Sequence, residues 1–344
     1  MLELHDPEHA FERLEAHLAA HLRPGTVADL YLGYGLSAPL RRDPAPPPPE
    51  PCVLPLLACR VRGARVAAAT ADASESSFRI GEWEASWDPS DHATAIEAAR
   101  AAIGRGDVYQ VNLVQHLAAP FTGDPRGLAA ALAPLAPLHP RPLVGHGWAI
   151  VSASPELFLA RRGDRVWTKP IKGTRPLGED VDDDKDEAEH VMIVDLERND
   201  LSRVCEPGSI RWPELMAQRE LCGVTHLVST VEGRLRPGVS LAELLNATFP
   251  GGSITGAPKI AAVDQIARLE PVGRGASMGA LGTIHANGDF DLALTIRTFA
   301  VAASRIHLWA GGGIVWDSDA EAEIEESWLK ARPLLQAAGG LVPA

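Results

Sequence analysis

The sequence predicts an α+β fold, with antiparallel sheets flanked by helices. Segments of strand character dominate and come in meander runs, with helical segments inserted at intervals. One pair of strands, GALGTIHA and DFDLALTIRTFAV, is joined by Asn287-Gly288, the preferred pair for a type I′ hairpin turn. No internal repeat is present.

In order along the chain, residues 7–22 place Phe11, Leu14, Leu18 and Leu22 at helical spacing. Residues 26–36 read as a strand ending in glycines, and 41–51 (RRDPAPPPPEP) as a stiff polyproline-type spacer. Segments 53–60, 64–70 and 81–87 have strand character. A helix over 91–104 carries Ile96, Ala99 and Ile103 on one face and ends at glycine. A strand is predicted over 107–118 and a short helix near 125–134. Residues 147–160 and 164–169 form antiparallel strands around Gly163-Asp164. An acidic loop from Glu179 to Asp184 leads into a helix over about 185–204, followed by strands across 208–235. Helices follow at 240–247 and from Ala257-Pro258, then the Asn287-Gly288 hairpin, with Leu292, Leu294 and Ile296 on one face and Thr295 and Arg297 on the other. A strand over 305–310 runs into Gly311-Gly312-Gly313, and a last helix covers about 319–338.

The composition bounds the function. With 344 residues, 46% hydrophobic and 22% charged, the chain reads as a soluble globular protein with one large or two medium domains. A net charge of −13 disfavours nucleic acid or an anionic membrane as partner, and an anionic substrate would need a local cationic pocket or a metal. Cys52, Cys59, Cys205 and Cys222 lack C-x-x-C spacing and read as reduced thiols of a cytoplasmic protein. The amphipathic N-terminus, with its acids and histidines, does not read as a signal peptide, and no apolar run approaches membrane-spanning length.

Several features converge on a small polyanion. Asp186 and Glu189 share one helix face, and so do Glu323 and Glu326; facing each other across a cleft they would form an oxygen-only site suited to Mg²⁺, while either pair alone reads as a solvated acidic face. The acidic Glu325 beside the second pair reads equally as plain surface. The turn FPGGSITGAPK (249–259), which holds Ser253 and Thr255, leads into a helix whose free N–H groups suit an anion. Gly311, Gly312 and Gly313 offer further approachable amides. Lys172, bracketed by Pro170 and Gly173, is either a surface lysine or an amine aimed into a cavity, where desolvation would lower its pKa and free its lone pair. Arg297 is either paired structurally or aimed at a carboxylate. His226 alternates with apolar neighbours, as a core histidine does. Glu156, after Pro155, is either surface or a pocket carboxylic acid of raised pKa.

The stretches DVYQVNL (107–113), SPELFL (154–159), PIKGTRP (170–176), EHVMIVDLERNDL (189–201), THLVS (225–229), FPGGSITGAPK, IRT (296–298) and GGGIVWDSDAEAEIEESWLKA (311–331) together resemble the chorismate-utilising enzymes. That family includes anthranilate synthase component I, aminodeoxychorismate synthase component I, and the isochorismate and salicylate synthases. The resemblance implies two stacked antiparallel sheets flanked by helices, with the site in the cleft between them. Residues 1–85, with the Pro-rich connector 41–51, would be a shortened N-terminal part of the sandwich, and 86–338 the chorismate-binding domain.

Two positions discriminate within the family. Similar anthranilate synthases read PIAGT where this chain reads PIKGT, and the lysine of the aminodeoxychorismate synthases attacks C2 of chorismate. Isochorismate and salicylate synthases place a water-activating lysine where Gln110 stands here, and glutamine is not a base. Both positions point to the aminodeoxychorismate synthase branch. The resemblance then implies Mg²⁺ on Glu189 and Glu326, with Asp186 and Glu323 behind them. It makes Glu156 the acid for the departing C4 hydroxyl and Lys172 the nucleophile. Arg297, Lys330 and amides near Gly312 would hold the substrate carboxylates, with Thr174 and His226 at substrate-contacting positions. Ammonia would come from a glutamine amidotransferase on a separate chain, since no such sequence occurs here, and the product would feed p-aminobenzoate and folate. Two readings stand against this one: an anthranilate synthase component I, and a non-catalytic chorismate-binding subunit. The sequence also lacks the LLES motif that lines a tryptophan pocket in anthranilate synthases. Thr283 stands where relatives commonly carry a substrate-contacting tyrosine.

Overall fold

Two antiparallel sheets, one 10-stranded and one 8-stranded, organise the computed structural model of the protein, which describes residues 1–64, 77–176, 184–221 and 224–339. In chain order the elements are β1 (Leu2–Leu4), α1 (Ala10–His21), β2 (Thr26–Leu32), β3 (Leu57–Gly63), β4 (Phe78–Ile80), β5 (Glu84–Ala85), α2 (Pro89–Gly104) and β6 (Gln110–Gly123). Then come α3 (Pro125–Leu132), β7 (Leu143–Val144), β8 (Trp148–Ser152), β9 (Leu157–Arg162), β10 (Arg165–Lys169), β11 (Ile171–Pro176), α4 (Asp184–Ser202), β12 (Arg211–Leu221) and β13 (Val224–Arg234). The rest are α5 (Leu241–Thr248), β14 (Gly256–Ala257), α6 (Lys259–Leu269), β15 (Ala280–His285), β16 (Phe290–Leu294), β17 (Thr298–Ala302), β18 (Arg305–Ile314) and α7 (Ala320–Ala337). The expected α+β class holds.

The larger sheet runs β1-β3-β2-β15-β16-β9-β10-β13-β11, with β12 on β13; the smaller runs β14-β6-β18-β17-β8-β7, with β4 and β5 on β6. The larger sheet crosses the expected boundary at residue 85, because β2 pairs with β15 from Val27↔His285 to Leu32↔Ala280. Its core is Leu30, Tyr31, Leu32, Phe158, Phe290 and Leu292, and the smaller sheet buries Phe299, Ile306 and Leu308 against Leu334 and Leu335 of α7.

Helix ends follow their local chemistry. Asp88, Asp124 and Asp319 cap α2, α3 and α7, and Ser240 with Glu243 forms a capping box on α5. Strand boundaries departed further from expectation. The segment predicted over 53–60 begins at Leu57 and extends to Gly63, and 81–87 reduces to the two residues of β5. The strand predicted over 64–70 falls almost wholly outside the described residues, as does most of the acidic loop from Glu179 to Asp184.

Two segments that read as single strands are each divided between the sheets. Residues 147–160 give β8 in the smaller sheet and β9 in the larger, with Ala153–Glu156 crossing over. Residues 289–301 give β16 in the larger sheet and β17 in the smaller, crossing at 295–297. The crossovers run side by side: the Ala153 amide donates to the Arg297 carbonyl at 2.9 Å, and the Leu294 amide to the Glu156 carbonyl at 2.9 Å. Alternation of side chains looks the same in either sheet, so periodicity gave no sign of the break.

The proline-rich segment is no plain spacer. The Gly273 amide donates to the Pro49 carbonyl at 2.8 Å and the Gly275 amide to the Glu50 carboxylate at 2.9 Å, so the segment straps the loop after α6. No helix among the described residues is long and apolar enough to cross a membrane.

Candidate active site

Glu156 enters the cleft from the first crossover. Its residue is 5% exposed, and its carboxylate accepts from the Ser253 hydroxyl at 2.9 Å and from the Ile171 amide at 3.4 Å. Burial raises its pKa above the ordinary carboxylate range, against the opposing pull of Ser253, Lys172 and Arg297. Glu156 is therefore not a surface carboxylate.

Lys172 lies on β11, paired with Leu227 of β13, just before an irregularity in that ladder. Gly173 takes φ of 62° there, and its carbonyl accepts from the His226 ring at 2.7 Å. The bulge re-aims the strand, so Pro170 and Gly173 mark a kink that turns the lysine inward. Its ammonium donates to Glu189 at 2.6 Å, with both side chains largely buried. The expected lowering of the lysine pKa does not hold in this state. Burial pulls it down, but the Glu189 carboxylate, with Glu156 and Glu326, outweighs burial and holds the ammonium above its ordinary value. Conversely, burial raises Glu189, and the Lys172 charge reverses this to leave it below the ordinary range.

The glycine run is strand, not a loop nest. Gly311, Gly312 and Gly313 pair with Val114, Leu113 and Asn112, extending β18 past Leu308, where its pairing with β17 ends. Their role is clearance. A Cβ on Gly312 would stand 3.4 Å from Glu323 Oε2, 3.4 Å from Lys330 Nζ and 3.7 Å from Glu326 Oε1. A Cβ on Gly313 would stand 1.8 Å from Gln110 Nε2 and 2.8 Å from Glu189 Oε1. Helices α4 and α7 thus bring Glu189, Glu323 and Glu326 over a floor without side chains. Gln110 donates to Glu189 at 2.6 Å, Ser318 donates to Glu323 at 2.6 Å, and Lys330 bridges Glu326 at 2.7 Å and the Gly311 carbonyl at 2.9 Å. Glu325 faces outward and pairs with Arg332.

Arg297 is not mid-strand. It sits in the second crossover with φ of 48°, an uncommon backbone for a side-chain-bearing residue and one that clusters at functional sites. Its charge bears on both Glu156 and His226, lowering the pKa of each. His226 is 2% exposed, and burial lowers its pKa, so it is a neutral ring bracing Gly173. The expected anion site at 249–259 is only partly open. The Gly252 amide is taken by Glu197 at 3.1 Å, and Thr255, fully buried, donates its hydroxyl to the Gly251 carbonyl at 2.9 Å. Thr255 therefore braces the turn from inside, whereas Ser253 points at Glu156. The side chains of Thr174 and Asp186 lie outside the described residues.

The oxygen-rich set of Glu189, Glu323 and Glu326 has the chemistry of a hard divalent cation site. Among the described residues no three carboxylates are arranged to ligate a metal ion, and the Lys172 ammonium holds Glu189 Oε1. Sequence reading missed Glu197 and Asp200, buried behind the turn, their half-buried neighbour Lys259, and the Ser318 support of Glu323. The carboxylates of ERNDL in a predicted helix and the lysine of GAPK were their only signal.

Comparison with known proteins bears on this geometry. The model of the chorismate binding enzyme family matches residues 56–336. The chain is similar to anthranilate synthase component 1 of Thermus thermophilus, at 44% identity over 70% of this chain and 56% of that protein. It is similar to aminodeoxychorismate synthase component 1 of Klebsiella aerogenes, at 39% identity over 80% of this chain and 64% of that protein. It therefore spans less than two-thirds of the length of these relatives. Among solved structures, anthranilate synthase component I of Streptococcus pneumoniae superposes with a TM-score of 0.77 at 29% identity, covering 91% of this chain and 81% of that one.

Proposed function

This chain belongs to the chorismate binding enzyme family, and on that premise we propose that it is aminodeoxychorismate synthase component I, converting chorismate and ammonia to 4-amino-4-deoxychorismate. The observation that carries the reading is Lys172 itself. A largely buried lysine at the PIKGT position, donating to Glu189 at 2.6 Å and feeling the charge of Glu156, supports a nucleophile that works beside an acid once it is deprotonated. Gln110, hydrogen-bonded to Glu189, supplies no base for water.

In the proposed sequence the Lys172 amine bonds to C2 of chorismate as the C4–oxygen bond breaks and the ring double bonds shift. Glu156 gives its proton to the departing oxygen, which leaves as water; burial raises its pKa and so favours the protonated, donating form. Ammonia then bonds to C4, the lysine leaves C2, and the double bonds return. Lys172 reacts only as the neutral amine; here it is an ammonium paired with Glu189, so its proton must first pass to bulk solvent. Glu189, Glu323 and Glu326 are the residues proposed to hold Mg²⁺, with Asp186 as a fourth; when bound, the ion would polarise the ring carboxylate and withdraw electrons from the ring. Arg297 and Lys330 are the proposed partners of the substrate carboxylates. The "component 1" in the relatives' names supports a partner subunit, proposed to be a glutamine amidotransferase delivering ammonia.

The test is a product assay with chorismate, Mg²⁺ and ammonium, split into halves with and without an aminodeoxychorismate lyase. p-Aminobenzoate is expected only in the half with lyase. Anthranilate in both halves would overturn the branch and favour the second reading, which the similarity to anthranilate synthases supports. Chorismate recovered intact would overturn the enzyme reading.

The glycine floor gives a sharper local test. Gly313→Ala puts a methyl group where Gln110 Nε2 lies and against Glu189. Displacing two such groups by about 1 Å is expected to lower kcat/KM for chorismate on the order of 10²-fold, with the circular dichroism spectrum unchanged. Activity within about threefold of wild type would show that the floor does not set the geometry.

A further inference from the structure

Behind the turn that presents Ser253 to Glu156 lies a second buried carboxyl, on α4, that the proposed reaction does not use. Glu197 is 5% exposed and accepts from the Gly252 amide at 3.1 Å. The next residue, Ser253, donates to Glu156 at 2.9 Å. Two carboxyls therefore grip adjacent residues of one short turn, Gly252–Ile254, from opposite sides. One helical turn on, Asp200 is 3% exposed and pairs with Lys259, whose ammonium also donates to the Thr248 carbonyl at 3.1 Å. That pair pins the start of α6 and the end of α5 to α4, which leaves the intervening turn held at its middle by Glu197. A Cβ on Gly252 would stand 3.2 Å from Glu197 Oε1 and 2.7 Å from Leu196, so glycine is needed for this close approach.

From this geometry we infer that Glu197 is a positioning residue for Glu156: by holding the Gly252 amide it fixes the Ser253 hydroxyl on the Glu156 carboxyl. The inference rests on the reading of Glu156 as the acid of the proposed reaction. Glu197 can do this without placing a negative charge beside Glu156. Burial, then the charge of Asp200, raises it to about 8, with Lys259 opposing and Glu156 adding, so it is largely protonated at neutral pH. Of the groups facing Glu156, Ser253, Lys172, Arg297 and the Ile171 amide lower its pKa against burial, while Glu197, when ionised, opposes them. Loosening the Ser253 contact removes one of these, so the Glu156 titration must move to higher pH.

The variants are Glu197→Met, which fills the space but accepts no hydrogen bond, and Glu197→Gln, whose amide oxygen still can. The Glu156 carboxyl would be followed by carbon-13 NMR in protein labelled at glutamate, with Glu156→Gln identifying its resonance. Glu197→Met is expected to move the titration to higher pH and to lower kcat at least about tenfold, with KM for chorismate nearly unchanged. Glu197→Gln is expected to restore both at neutral pH. Ser253→Ala should reproduce the shift, and adding Glu197→Met to it should change little further, because both act through one contact. If Glu197→Met does not fold, Glu197→Ser, too short to reach the amide, takes its place. An unshifted Glu156 titration in the folded Met or Ser variant, or additive effects with Ser253→Ala, would overturn the inference. Should the wild type prove not to consume chorismate, the NMR titration still decides the placement of Glu156 while the functional reading falls on its own.

Discussion

Lys172→Ala should remove aminodeoxychorismate formation, by on the order of 10³-fold or more in kcat, with the fold intact. A residue that forms the covalent bond cannot be replaced by binding energy elsewhere, so the loss should fall on kcat rather than on KM. The variant also leaves Glu189 without its ammonium, although Gln110 still donates to it at 2.6 Å. Two measurements separate chemistry from electrostatics. In wild type quenched without ammonia, intact-protein mass spectrometry should find an adduct of chorismate less one water, mapped by peptide digestion to Lys172. In Lys172→Ala no adduct should form, while chorismate binding by calorimetry persists within about tenfold. Turnover within tenfold of wild type, or an adduct on another residue, would remove Lys172 from the mechanism and with it the choice of branch.

Arg274→Ala should cost about 3–5 kcal/mol of stability. Arg274 is 1% exposed and grips Glu270 with two bonds, at 2.9 and 2.7 Å. It also donates to the Ile254 carbonyl at 2.9 Å and the Asn112 carbonyl at 2.7 Å, and its guanidinium lies 4.6 Å from the Tyr34 ring centroid. Removing it leaves the buried Glu270, whose pKa burial already raises against the pull of Arg274, with only the Val114 amide at 3.1 Å, and takes a donor from two carbonyls. Replacing both charges, as in Arg274→Met with Glu270→Met, should recover most of the loss, since apolar groups of similar volume need no partner. Because Asn112 neighbours Gln110 on β6 and Ile254 neighbours Ser253, the single variant should also weaken turnover at temperatures where it remains folded. Urea denaturation of the three proteins decides this: a loss below about 1 kcal/mol for Arg274→Ala would mean that water reaches the site and rescues Glu270.

Both residues show what the linear sequence could and could not reveal. Lys172 was legible because the prolines and glycines around it punctuate the chain, and because PIKGT stands in order with the other motifs. Its charge state was not legible. A pKa is set by the field at one point, and Glu189 reaches that point only when α4 packs over β11. Arg274 carried no signal at all: an arginine in a loop reads as surface until its burial against Tyr34 is seen. Glu197 failed in the same way, as one acid in a polar run on a helix whose buried face becomes apparent only beneath the 252–254 turn.

By itself the sequence determined the α+β class, most of the helices, the Asn287-Gly288 hairpin, the family resemblance, and the carboxylates at matched spacing on two helices. These are short-range properties, fixed by periodicity, turn chemistry and residue order within a few positions. The tertiary structure alone decided that residues 147–160 and 289–301 cross between sheets, setting Glu156 and Arg297 on crossovers that run side by side. It decided that the three glycines are a cleared strand beneath Glu189, Glu323 and Glu326, and that the proline segment is a strap. The physical reason is common to all of these. A strand's alternation says which side chains share a face but not which sheet receives them, and a buried charge takes its partner from whichever distant element packs against it.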